Sequence, residues 1–143
     1  MIELLHPRLV HFPIALLLTS VALSWASLRW KDKGLDQAAW YLLLLGLAGT
    51  ILTLISGLIA ARAVPADSPA MATLNIHKLL GIAVLVIFSA QALCHIRSRS
   101  IYTPTKRVLH TAIQLLGVAL ILAVGFLGGE LVYTFGIGVS SMP

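Results

Sequence analysis

Four long apolar runs, separated by short polar links, set the pattern of this chain. The runs cover about 9–28, 39–61, 74–94 and 108–131. Each is close to the roughly 20 residues that an α-helix needs to cross a bilayer. The link at 29–37 is polar and charged. The link at 62–73 holds Pro65 and Pro69 and reads as a non-helical loop, and the link at 97–107 holds Pro104. Short links force neighbouring helices to run antiparallel. The pattern therefore predicts an all-α, integral-membrane, up-down four-helix bundle as one domain over 1–143.

Composition agrees. The chain is 59% hydrophobic and only 10% charged, against about 25% charged in soluble domains. The excess of Lys and Arg does not point to nucleic acid, because it lies in the links and orients the spans. Arg29, Lys31, Lys33, Arg97, Arg99, Lys106 and Arg107 fall on one side, against Arg8, Arg62 and Lys78 on the other. Seven against three makes the first side cytoplasmic, with both termini outside. Arg8 follows Glu3, and the strongest basic cluster comes after the first apolar run, so that run is expected to be a retained span and not a cleaved signal. The single cysteine, Cys94, rules out an intramolecular disulfide, and no C-x-x-C-H site for covalent haem is present.

Ionisable residues are expensive in or near a span, which draws attention to five histidines. In the expected topology His6, His11 and His77 lie on the outer side, with His95 and His110 on the inner side. His77 and His95 are separated by about five helical turns, so they share one face roughly 27 Å apart. Gly81 lies one turn from His77, where a missing side chain admits a flat group or a neighbouring helix. A stripe of small residues, Gly46, Gly49, Thr53, Ser56, Gly57 and Ala60, marks the second span. Gly117, Gly125, Gly128 and Gly129 mark the fourth. The plain reading of these stripes is helix packing. Glu130 is the only acidic residue within an apolar span, beside Tyr133, and calls for an outer-side histidine or Arg8 as partner.

The opening His6-Pro7-Arg8-Leu9-Val10-His11-Phe12-Pro13-Ile14-Ala15-Leu16 resembles the start of a family of bacterial membrane proteins, domain of unknown function 2231. The closing Gly128-Gly129-Glu130-Leu131-Val132-Tyr133 with Gly136-Ile137-Gly138-Val139 resembles its ending, and His77 falls where the family carries a histidine. The resemblance implies a four-span protein of a bacterial inner membrane and supplies no activity. It departs at Phe135, where the family often has histidine. Members that resemble this chain can occur beside cytochrome-type modules, which favours a redox role.

Three functions compete. A haem b-binding electron-transfer subunit would take His11 and His77 as an outer axial pair, and His95 with His110 as an inner pair. A non-haem metal site at the outer face would use His6, His11, His77 and Glu130 as ligands, with His6 and His11 forming a loop clasp. A structural subunit would use the same polar groups for packing or for contacts with redox or membrane-complex partners. No Ser/His/Asp set, phosphate-binding loop or paired carboxylate supports a stand-alone enzyme.

Overall fold

Pro13 sets the first break in the chain. It has no N–H to give the carbonyl of Leu9, four residues back, so the helix is interrupted there. The computed structural model describes residues 5–97 and 104–139, the side chains of 104–106 excepted. In it a short helix, α1 (Leu5–Leu9), is followed after Val10 by α2 (His11–Trp30). The expected loop clasp around His6 and His11 is therefore helical, and Val10 between the two helices has helical φ and ψ.

Lys31 ends α2 in a left-handed conformation at φ 54°. Asp32 then opens α3 (Lys33–Ala61), its carboxylate accepting from the Gly34 and Leu35 N–H groups at 2.7 and 3.3 Å. This N-cap lets the polar residues after it join the helix, so the link expected over 29–37 shrinks to two residues. The second link, with Pro65 and Pro69, turns sharply before α4 (Met71–Arg97). The last helix, α5 (Pro104–Tyr133), starts on a proline, which is suited to a first turn. Residues 98–103, including Arg99, lie outside the description. All four expected apolar runs are helical, and the helices run past them at most ends.

α2 packs along α3, α4 along α5, and α3 joins the two hairpins through α4; α2 touches α5 only lightly. Polarity is inverted relative to a water-soluble bundle. Gln114 is 0% exposed and Ser20 1%, while Phe126 is 75% exposed. Hydrocarbon around the bundle explains this, because polar groups must find partners inside and apolar side chains need no shelter. The four long helices are apolar enough to cross a membrane.

The core at mid-bundle is Leu17, Val21, Leu43, Val84, Phe88 and Ile121. Glycines bring its helices together. A Cβ at Gly46 would lie 2.6 Å from the buried Leu17 Cδ2, and one at Gly117 would lie 2.9 Å from the Phe88 ring. After α5 the chain folds back over the helix ends. Phe135 and Ile137 pack on Ala70, Leu74 and Leu131, and Gly138, at φ +79°, rests against Pro7. The chain after α5 is thus packed as far as Gly138, Val139 is exposed, and 140–143 lie outside the described residues.

Gly46→Val is expected to destabilise the bundle by about 1–3 kcal/mol through overpacking against Leu17. A Cβ at Gly125 meets nothing within 4 Å, so Gly125→Ala is expected to be neutral. Thermal unfolding of the detergent-solubilised variants, followed by loss of helical circular dichroism, measures both.

Candidate functional site

α1 carries His6 onto α3. The His6 Nδ1 lies 3.0 Å from the Thr53 carbonyl oxygen and 3.2 Å from Ser56 Oγ. A carbonyl only accepts, so Nδ1 carries the proton and donates it. Ser56 gives its own hydroxyl proton to the same carbonyl at 2.9 Å, which leaves its lone pairs facing the ring. Gly57 makes room: a Cβ there would stand 2.7 Å from His6 Cε1. The small-residue stripe of the second span thus has a specific task at its end, which is to seat an imidazole.

His77 on α4 is held in the same way from the opposite side. Its Nδ1 donates to the Val124 carbonyl of α5 at 3.2 Å, and Gly128 leaves space beside its Cε1. With both Nδ1 protons committed, the neutral rings keep a lone pair on each Nε2. The two ring centres are 6.2 Å apart and the ring planes are nearly perpendicular, at 88°. Both histidines line a cavity of about 750 Å³ that reaches from the turn-back after α5 down to Leu17, Val84 and Ile121. That volume lies within the range of small-molecule and cofactor sites, about 300–1,000 Å³. Thr53 Oγ1, buried in the wall, has no hydrogen-bond partner.

The other expected residues fall elsewhere. His11 lines the cavity but is exposed, and its Nδ1 donates to the Pro7 carbonyl one turn back at 3.1 Å. The residue facing His77 at ring-to-ring distance is therefore His6. Glu130 lies two residues beyond Gly128, about 200° further round α5. It borders a separate shallow hollow with Phe126 and Tyr133, so the structure does not bring it to His6, His11 or His77. Among the described residues, no group of three or more His, Cys, Asp or Glu converges as a metal set. Gly81 serves packing, its missing Cβ admitting Leu54 at 3.2 Å.

The far end of the bundle holds a different kind of cluster. Trp25 Nε1 donates to Gln114 Oε1 at 2.7 Å. An indole N–H only donates, which fixes the orientation of the Gln114 amide. Its NH2 group then donates to Ser24 Oγ at 2.9 Å and to His110 Nε2 at 3.1 Å. The Nε2 lone pair of His110 is thereby engaged. His95 stacks on Trp40, ring centres 4.6 Å apart and planes at 11°. His95 and His110 are thus each built into contacts with other side chains, away from the cavity that the His6 and His77 pair lines. Gln91, also buried, leaves its Oε1 without a partner. Sequence reasoning passed over Gln114, Ser24 and Trp25; a glutamine inside an apolar run was the available signal, since such a group must be satisfied within the bundle.

A family model described as Predicted membrane protein (DUF2231) matches residues 3–141, and the chain belongs to that family. No curated protein and no solved structure matches it.

Gln114→Leu is expected to destabilise the protein by about 2 kcal/mol, because it leaves the Trp25 N–H, Ser24 and His110 short of a partner in a dry setting. Gln114→Glu, which keeps an acceptor for Trp25, should lose less. Unfolding in mixed micelles with rising denaturing detergent reports both; equal stability of Gln114→Leu and the parent would contradict the network.

Proposed function

We propose that this membrane protein binds one haem b between His6 and His77 and serves as a small electron-transfer subunit. The facing pair is the observation that carries this reading. A metal about 2 Å from each imidazole nitrogen, with each ring centre about 1 Å further on, spaces the two ring centres by roughly 6 Å. The rings of His6 and His77 are 6.2 Å apart. Their Nδ1–H groups bond to backbone carbonyls, the usual way in which a ligating histidine is oriented and its other nitrogen made more basic.

The ligand count favours haem over a bare ion. Zinc sites take three or four protein ligands. Two imidazoles fall short of that, and no third His, Cys, Asp or Glu joins them among the described residues. A haem brings its own equatorial nitrogens and asks the protein only for axial ligands. The apolar cavity beneath the pair, floored by Leu17, Val84 and Ile121, suits a flat, largely apolar ring. Haem held there would supply one-electron exchange; the chain holds the two imidazoles in place. The exposed Arg29, Lys31, Lys33, Arg97 and Arg107 lie at the far end. The positive-inside rule supports reading that end as the cytoplasmic one in a bacterial inner membrane, with the His6 site on the outer side, within reach of a redox partner there.

Protein purified from haem-replete cells is expected to show a low-spin b-type spectrum. His6→Ala and His77→Ala should each abolish it or convert it to a high-spin form, while His11→Ala and His95→Ala should keep it. Loss on changing His11 with retention on changing His6 would move the axial role to the first residue of α2. Indifference to both His6 and His77 would end the reading.

A further inference from the structure

Lys78 follows His77 on α4 and lines the same cavity. It is half-buried within a span and makes no ion pair or hydrogen bond among the described residues. No Asp or Glu lines the cavity with it. Among the described residues, the acid nearest to Lys78 in the sequence, Asp67, is exposed in the α3–α4 link, and Glu130 borders the separate hollow; Glu3 lies outside the described residues. An ammonium group held in a membrane span without a counter-charge is costly, and such a residue marks the place where an anionic group of a ligand belongs. The rest of the lining is apolar apart from His6, His11, Thr50, Thr53, Ser68, His77 and the exposed Tyr133. The charge of the cavity is therefore one-sided: a single cation beside two neutral nitrogen donors.

We propose that Lys78 binds a carboxylate of the tetrapyrrole and so fixes the orientation in which it enters between His6 and His77. This rests on the haem reading above. Haem b carries two carboxylates on one edge of an otherwise apolar disc. Lys78 lies at the His77 end of the cavity, nearly two turns of α4 from Val84 in its floor, so the carboxylate edge would sit at that end and the apolar edge among Leu17, Val84 and Ile121. Lys78 is a positioning residue: it recognises the edge of the ring, and the histidines hold the iron.

The test is a titration of apoprotein, prepared from haem-limited cells in one detergent, with haem b and with its dimethyl ester, in which both carboxylates are masked. The parent protein is expected to prefer haem b to the ester by about tenfold. Lys78→Met should abolish that preference while keeping the low-spin spectrum of the bound form, and Lys78→Arg should restore most of it. Comparing ratios across variants cancels the different partitioning of the two probes into micelles. Binding with the same preference in Lys78→Met as in the parent would overturn the role of Lys78 and leave the histidine pair standing. Failure of the parent to bind either probe would overturn the haem reading and this proposal together.

Discussion

A buried N–H group surrounded by hydrocarbon has no water to turn to, and this constraint organises the polar interior of the bundle. The imidazoles of His6 and His77 answer it by giving their Nδ1 protons to the backbone carbonyls of Thr53 and Val124. Helix carbonyls are already bonded along the chain, but each has a second lone pair to offer. One bond therefore fixes the tautomer and leaves Nε2 as the basic nitrogen. The glycines at 57 and 128 make those bonds sterically accessible. The site is set by the need to satisfy two donors inside a lipid-facing fold.

The same constraint has a different solution at the other end. There Gln114 distributes its amide among Trp25, Ser24 and His110 and ties α2 to α5. Of the long helices that meet, these two touch least. A closed network spends its lone pairs on neighbours and holds the helices in register. At the His6 end the two rings bond to backbone carbonyls and border a cavity instead.

Much of this was legible in the sequence. The four apolar runs and their links carried the architecture, since length and hydropathy alone decide what can span a bilayer. His77 was legible as a site residue because it opens a span beside Gly81. His6 was harder to place. Its place at the chain start reads as loop, and only a helix that begins at Leu5 puts it on the face of Pro13 and Leu17, seven and eleven residues on, against α3. His11 lines the same cavity, but its ring is exposed and bonds to the carbonyl one turn back in its own helix. Glu130 shows the limit of reasoning from depth: it is level with the cluster in sequence, but two residues past Gly128 put it on another face of α5. The shared face of His77 and His95 likewise says nothing of neighbours. His77 meets α5, and His95 meets Trp40 of α3.

The ratio of haem to polypeptide bears most directly on this account. A pyridine haemochrome assay on protein from haem-replete cells, set against amino-acid analysis, gives that ratio. One haem per chain is the predicted result, because one pair of imidazoles faces across a cavity while His110 and His95 are built into contacts of their own. A ratio near two would contradict the assignment of the far cluster to packing. A ratio near zero would contradict the haem site itself.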